Sequence, residues 1–267
     1  MSQHLPLAPH FPVCLHMLTL ATRYARCFDV LDDRTLSSPQ ATERIARQIK
    51  TIKALAEDVA EAATASLNLP MSLIDHTDRT VGSRMAQLQV VSNAATGALE
   101  RAVESSAPAS FTSLDVRLGN VEAARDLLAT AAADLIACAE RVAAEMNRYR
   151  SSYSIPEAGH PLTAEQFQAL RLVASGAVSV DEEGQPWVGM DKTAVRASVI
   201  RSLDRRDLVA PERSASWADE IHVLPTPAGR LVLATALGRP EHGAPDARSA
   251  PRAALAGPAA SVQKARR

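Results

Sequence analysis

The residues best suited to chemistry form a basic segment in the carboxyl-terminal third of the chain. Residues 192–206 carry five basic side chains and one acidic side chain. On a helical wheel, apolar residues fall on one side and small residues and arginines on the other. The apolar side comprises Val195, Val199, Ile200 and Leu203; the opposite side comprises Ala194, Ala197, Ser198, Arg201 and Arg205. Small residues between arginines suit a face that enters a groove about 12 Å wide and reaches phosphates and guanine edges.

Asp191 stands where this helix is expected to begin, because its carboxylate can accept hydrogen bonds from the free N–H groups of a first helical turn. The pattern therefore predicts a helix from about residue 192 to 206. An ordinary solvated helix with surface arginines is the alternative interpretation of the same charges.

The elements that must position this helix follow it in the sequence. Leu208 and Val209 begin an apolar strand, a polar loop covers residues 212–220, and a second strand starts at Ile221. Thr226 can then cap a new helix, with Pro227 at its first position. Asp207 stands at the helix exit, and aspartate enters the left-handed region more readily than most residues. Pro225 requires the second strand to be an edge at that point.

This order of helix, strand, loop, strand and helix resembles the winged-helix DNA-binding domain of MarR-type bacterial transcription regulators. The resemblance lies in Leu203-x4-Leu208-Val209 and in Val223-Leu224-x-Thr226-Pro-Ala-Gly-Arg230, and it concerns about residues 160–238. It implies a protein that binds duplex DNA through this helix. Base edges would be contacted by Thr193, Ser198 and Arg201, and phosphates by Lys192, Arg205 and Arg213.

Two features depart from that pattern. A helix-turn-helix has a helix packed ahead of the recognition helix, but residues 177–189 show alternating valines, an acidic turn and Pro-Trp-Val, which predict a β-hairpin. The loop 212–220 contains one arginine and three acids, so it is less basic than a phosphate-binding wing. A winged-helix scaffold with an altered first half is expected.

The beginning of this domain is marked by a capping box. Thr163 can cap a helix, with Gln166 three residues later and Leu162 and Phe167 as the flanking apolar pair. We therefore divide the chain into residues 1–150, a linker at 151–159, a domain at 160–238 and a tail at 239–267. The tail has six basic and two acidic residues among Ala, Pro and Gly, and too few large apolar groups to fold, so disorder is expected.

Residues 12–150 show apolar residues at near-heptad spacing, which predicts four helices and a mainly α fold. The last series runs from Leu114 to Tyr149 and predicts one long helix. Four amphipathic helices bury their apolar faces most simply as an antiparallel bundle or coiled coil. The long helix, with Leu128 and Leu135 in its seam, is expected to join two subunits of a homodimer.

Composition and motifs limit the other functions. The chain has three cysteines without metal-ligand spacing and no phosphate-binding loop or nucleophile elbow. We therefore expect a protein that is not an enzyme and that holds no metal or cofactor. His10, Cys14 and His16 lie close together in sequence, but no second pair of ligands accompanies them, so we do not interpret them as a metal site. The apolar run at residues 12–22 is too short to span a membrane, which favours a cytoplasmic protein.

Two functions of different class remain. One is a homo-oligomeric DNA-binding transcription regulator; the other is a non-enzymatic protein-interaction or structural module on a winged-helix scaffold. The net charge of −1 provides no general attraction to nucleic acid. The distinguishing observation is whether Arg201 and Arg205 form an exposed positive face or are neutralised by Asp181, Glu182 and Glu183 of the hairpin.

Overall fold

The described part of the chain is mainly helical and contains one small antiparallel sheet. The computed structural model describes residues 7–38, 41–69, 77–105, 111–148, 152–155, 161–181, 185–188, 195–216 and 220–237. Asp191, Lys192, Thr193, the hairpin acids Glu182 and Glu183, most of the linker and the tail lie outside these ranges. Within them, every helix is too short or too polar to cross a membrane.

The described residues of the first half form five helices: α1 (His10–Asp32), α2 (Thr42–Leu67), α3 (Thr77–Glu104), α4 (Phe111–Leu128) and α5 (Ala131–Arg148), with a 3-10 turn at Arg34–Ser37. Helix α2 packs against α3, α3 against α4, and α1 against both α2 and α5. The apolar spacing locates the helical regions because each helix buries one face against these neighbours.

The prediction of a single long helix over residues 114–150 is wrong. Ala129 and Thr130 form a turn that separates α4 from α5. Helix α5 begins directly after Thr130, whose carbonyl oxygen accepts a hydrogen bond from the Asp134 N–H at 2.9 Å. The apolar period continues across the turn because Leu128 and Leu135, on either side of it, are both buried in the core. These two residues therefore pack within one chain and are not available as a seam between subunits.

The second half contains α6 (Ala164–Ala174), β1 (Val178–Val180), β2 (Pro186–Val188), α7 (Ala197–Asp204), β3 (Val209–Arg213), β4 (Ile221–Pro225) and α8 (Pro227–Leu237). The capping box at Thr163 is confirmed: its side chain accepts from the Gln166 N–H at 3.2 Å, and the Gln166 side chain accepts from the Thr163 N–H at 3.1 Å. Thr226 likewise caps α8 by accepting from the Gly229 N–H at 3.0 Å.

The sheet has the strand order β2-β1-β4-β3, and all neighbouring strands are antiparallel. The predicted hairpin is confirmed, with Val178 opposite Val188. Strand β1 pairs with β4 at Ile221 and His222, whereas Pro225 pairs with Val209 of β3. Pro225 therefore lies beyond the β1 pairing, at an edge, where its missing N–H leaves no ladder hydrogen bond unmade.

Helix α7 is shorter than predicted. Arg196 has an extended backbone and is the N-cap residue, so the helix begins at Ala197 and cannot be capped by Asp191. The predicted amphipathic pattern is confirmed, because Val199, Ile200 and Leu203 are buried while Ser198 is exposed. The helix ends at Asp204, and Asp207 in the turn that follows has a φ of 55°, the left-handed conformation expected at the helix exit.

The two halves share one continuous hydrophobic core. Helices α6 and α8 both pack against α1 and α5. Arg171 of α6 forms an ion pair with Glu140 of α5. Gly176, with φ of 74°, lies so close to α1 that a Cβ atom would be 2.5 Å from the Ala25 Cβ. The sheet is consequently held directly against α1.

Candidate functional site: a basic helix and a cavity between the halves

The predicted DNA-binding residues fall into three groups. Ser198, Arg201 and Arg205 are exposed and succeed one another along the outer face of α7 and its end. Arg213 is exposed at the end of β3, where it lines a cavity shared with α1. Lys192 and Thr193 lie outside the described residues. The structure therefore brings three of the six residues together on one helix.

The charges along α7 differ in their surroundings. Arg196 pairs with Glu165 at 3.2 Å, and Arg206 donates to the Gln166 side chain at 3.2 Å. Within the described ranges, neither Arg201 nor Arg205 has a carboxylate partner, although the Arg205 side chain donates to the Arg201 carbonyl oxygen at 3.3 Å. Asp181 accepts instead from the Gln185 N–H at 2.7 Å. The two arginine side chains are thus exposed to solvent, on the side of the helix away from its buried apolar face.

A cavity of about 710 Å³ lies between α1, the α4–α5 turn and the sheet. Apolar surface comes from Ala25 and Phe28 of α1, Ala129, and Leu224 of β4. Trp187 of β2 also lines the cavity and is 45% exposed. A volume of this size lies within the range of about 300–1,000 Å³ that is usual for small-molecule sites.

Asp29 of α1 organises the polar wall of this cavity. Its Oδ1 accepts from the hydroxyl groups of Ser214 at 2.6 Å and Ser216 at 2.8 Å, and lies 2.9 Å from His222 Nε2. Its Oδ2 accepts from the Ala215 N–H at 2.7 Å. Burial alone would raise the pKa of Asp29, but the hydrogen bonds from His222, Ala215 and the serines lower it to about 2. One ionised carboxylate therefore fixes the β3–β4 loop to α1.

His222 completes this network from β4. Its Nδ1 lies 3.0 Å from the Ser179 hydroxyl, and that hydroxyl donates to Glu220 at 2.6 Å. Because a hydroxyl has one proton, Ser179 accepts from Nδ1–H while Nε2–H donates to Asp29. Burial opposes the imidazolium, but Asp29, with Glu220 and Glu212, raises the pKa of His222. The ring therefore favours its doubly protonated form.

This arrangement contains serine, histidine and aspartate but is not set up for nucleophilic catalysis. A base that activates Ser179 would need a free ring nitrogen facing the hydroxyl, whereas His222 presents N–H to it. Ser179 is also buried, and its proton is directed at Glu220. The network holds the sheet on α1, and we assign it no catalytic role.

Ion pairs surround the mouth of the cavity. Arg125 pairs with both Asp32 at 2.9 Å and Asp126 at 3.1 Å. Arg26 pairs with Glu212 at 2.8 Å and, like Asp29, connects α1 to β3 and its following loop. The cavity lining therefore contains the pairs of Arg125 with Asp32 and Asp126 as well as the Arg26–Glu212 pair.

The histidine and cysteine near the start of α1 are embedded in the core. Burial lowers the pKa of His10 in spite of the nearby Glu145, so its ring favours the neutral form. The Cys14 thiol donates to the Ala139 carbonyl oxygen at 3.5 Å, and burial raises its pKa to about 12. A protonated thiol is a poor metal ligand. In the described part of the chain, no group of three or more His, Cys, Asp or Glu side chains is arranged to hold a metal ion.

Sequence reasoning did not find Asp29, His222 or the cavity. Asp29 lies between Arg26 and Asp32 on the polar side of α1, and His222 follows the first residue of a short strand, so both have the appearance of ordinary surface residues in the sequence. The acids and serines of residues 212–220 were the available signal, because four groups of this segment donate to or pair with α1. The chain matches no protein-family model, and searches of curated proteins and of solved structures find no similar protein.

Proposed function

We propose that this protein is a DNA-binding regulator that contacts duplex DNA through α7. The proposal rests on Arg201 and Arg205, which are both exposed and have no carboxylate partner within the described residues. On the opposite face, Val199, Ile200 and Leu203 anchor the helix in the core. An arginine pair on a rigid helix provides both phosphate contact and recognition of guanine edges.

The surroundings of α7 support this proposal. Gly229 of α8 packs onto the chain at Leu208, directly before β3, and the Thr226 N–H donates to the Leu208 carbonyl oxygen at 3.1 Å. The two sequence segments that resemble a winged helix therefore brace each other. Since α7 has eight residues, its exposed face is short, and Ser198, Arg201 and Arg205 are its contacting residues in this proposal.

The loop between β3 and β4 takes a restricted part in the proposed complex. Asp29 and Arg26 hold this loop against α1, so it cannot follow a DNA groove freely while these contacts persist. Arg213 reaches phosphate in this proposal only from the position beside α1. We therefore assign most of the affinity to α7.

The test is a titration of random-sequence duplex DNA at several salt concentrations. The logarithm of the association constant should fall linearly with the logarithm of the salt concentration, with a slope of about 0.9 per neutralised phosphate. The double variant Arg201→Ala/Arg205→Ala should lose binding. The control is Arg47→Ala/Lys50→Ala on α2, which removes the same charge from two exposed positions. No binding at low salt, or equal loss in both double variants, would contradict the proposal.

A protein-interaction module is the second candidate function. It is favoured by the attachment of the β3–β4 loop to α1, which resembles a structural brace more than a mobile DNA-binding wing. The Arg201→Ala/Arg205→Ala variant distinguishes the two functions. For an interaction module, the variant should fold like the wild type and should not differ from it in DNA binding.

Self-association through the helical half forms part of the regulator proposal. Leu127 of α4 is 37% exposed and lies with Leu88 and Val91 of α3 around a small surface cavity. Leu127→Glu should therefore shift sedimentation toward a monomer without unfolding the chain. A wild type that sediments as a compact monomer at micromolar concentration would contradict this part.

A further inference from the structure

We propose that the cavity between α1, the α4–α5 turn and the sheet binds an uncharged, mainly apolar ring compound that stacks on Trp187. Its volume of about 710 Å³ accommodates a drug-sized molecule. The inference does not depend on DNA binding, because none of the described lining residues belongs to α7.

One row of residues across the sheet lines this cavity. Ser179 of β1 lies opposite both Trp187 of β2 and His222 of β4, and His222 lies opposite Glu212 of β3. Residues directly opposite each other in antiparallel strands place their side chains on the same face of the sheet. All four residues line the cavity, so this face forms one of its walls. The row is polar at its centre and ends in an indole ring at the β2 edge.

Apolar groups from three other elements line the same cavity. Phe28 of α1, Ala129 of the α4–α5 turn and Leu224 of β4 contribute carbon surface. Trp187 is 45% exposed, whereas Val188, next to it on the other face of β2, is buried in the core. Entry of an apolar molecule releases water from such surface, and an indole adds stacking with a ring. The lining therefore favours an apolar compound with a planar ring.

The walls of the cavity are fixed before any ligand enters. Asp29 of α1 accepts three hydrogen bonds from the β3–β4 loop and lies 2.9 Å from His222 Nε2. Arg26 pairs with Glu212 across the same boundary. Gly176 brings the start of the sheet close to α1 because it has no Cβ. A cavity between elements joined in this way is preorganised, which lowers the entropy cost of binding.

The carboxylates of the described lining already have partners within the protein. The pairs are Asp29 with His222 and the β3–β4 loop, Asp32 and Asp126 with Arg125, Glu212 with Arg26, and Glu220 with Ser179. A charged ligand would compete with these pairs and lose its own hydration on entry, whereas an uncharged ligand has neither cost. Arg213, the remaining charged side chain of the described lining, is exposed to solvent. The cavity therefore favours an uncharged ligand.

The experiment is equilibrium dialysis of the full chain at neutral pH against three probes that share a naphthalene ring and differ in charge. The probes are 2-naphthalenemethanol, 2-naphthalenemethylamine and 2-naphthoate. Dialysis measures binding directly, which matters because apolar association near room temperature can release almost no heat. The alcohol should bind most tightly, and the amine and the carboxylate at least about threefold more weakly.

Variants at two exposed positions test the location. Trp187→Ala should weaken binding of the alcohol by about tenfold, through loss of apolar contact and stacking, whereas Trp187→Phe should retain most of the affinity. Ala129→Trp should block binding by filling the cavity. Ala86→Trp, at an exposed position on α3 outside the described lining, is the control and should bind like the wild type. Circular dichroism checks that each variant is folded.

Three results would overturn the proposal. The first is no binding of the alcohol up to its solubility limit, and the second is alcohol binding that neither Trp187→Ala nor Ala129→Trp weakens. The third is tighter binding of either charged probe than of the alcohol; a preference for the carboxylate that Arg213→Gln abolishes would show an anion site. If Ala129→Trp does not fold, the comparison of Trp187→Ala with Trp187→Phe decides the location.

Discussion

Asp29 Oδ1 and His222 Nε2 lie 2.9 Å apart although 193 positions separate the residues in sequence. The pair connects the first helix to the fourth strand across the boundary between the helical half and the sheet. Because both side chains are largely buried and Asp29 also accepts from the β3–β4 loop, their interaction affects the attachment of the whole sheet. The first predictions concern this pair.

We expect Asp29→Ala to destabilise the protein by about 3 kcal/mol, since it leaves four donors, three of them on half-buried residues, without their acceptor. These donors are His222, Ser214, Ser216 and the Ala215 N–H. Urea unfolding monitored by circular dichroism measures the change. Asp115→Ala, at an exposed site on α4, is the control and should stay within about 0.5 kcal/mol of wild type. Equal stability of the two variants would refute the structural role of Asp29.

The contribution of His222 should depend on pH. Its pKa in the folded protein is raised above the usual 6.5 by Asp29, Glu220 and Glu212, against the effect of burial. Protonated His222 therefore stabilises the fold fully below pH 6.5, and this stability is lost as pH rises through the folded pKa. The difference in unfolding free energy between wild type and His222→Gln should be largest at about pH 5 and smallest at about pH 9. A difference that grows with pH would have the wrong sign.

Gly229 should not tolerate a side chain. A Cβ atom there would lie 1.9 Å from the Leu208 carbonyl oxygen, which belongs to the backbone and cannot rotate away. Gly229→Ala should therefore cost at least about 2 kcal/mol, through separation of α8 from the start of β3. Gly119→Ala on α4 is the matched control: its Cβ meets nothing within 4 Å, so it should stabilise the helix by about 0.5–1 kcal/mol. Thermal unfolding of both variants provides the comparison.

In the proposed complex with DNA, Arg201 and Arg205 should act differently. Arg205→Ala should flatten the salt dependence by about one phosphate contact, whereas Arg201→Ala should reduce sequence preference at a cost of roughly 1–3 kcal/mol. Fluorescence anisotropy with a selected site and a scrambled duplex, at several salt concentrations, separates the effects. If both variants merely reduced the salt slope, Arg201 would contact phosphate and not a base.

Residues 160–238 should unfold cooperatively when expressed alone, but at a lower urea concentration than the full chain. The fragment keeps its capping box and the sheet. It loses the apolar contacts of α6 and α8 with α1 and α5, as well as the Arg171–Glu140 ion pair. Near-ultraviolet circular dichroism through a urea gradient measures this. A fragment without a cooperative transition would show that the division of the chain into two domains is wrong.

Sequence alone determined the features whose causes lie within a few residues. The capping box at Thr163, the left-handed Asp207 and the buried face of α7 depend on backbone groups and side chains one or two turns apart, so their spacing reveals them. The hairpin before α7 was predictable for the same reason. A period, however, does not reveal where a helix is interrupted: the turn at Ala129 and Thr130 keeps Leu128 and Leu135 in one core and leaves the apolar pattern intact.

Tertiary structure decided which distant residues meet. On α4 it buries Arg117, 2% exposed, and exposes Leu118, because packing against neighbouring elements and not the local period sets the orientation of that helix. It brings Asp29 to His222 and creates the cavity beside them, since both require the sheet to dock on α1. Hydrogen bonds and charge pairs between distant residues leave no periodic trace in a sequence, so these contacts follow only from the packing of the whole chain.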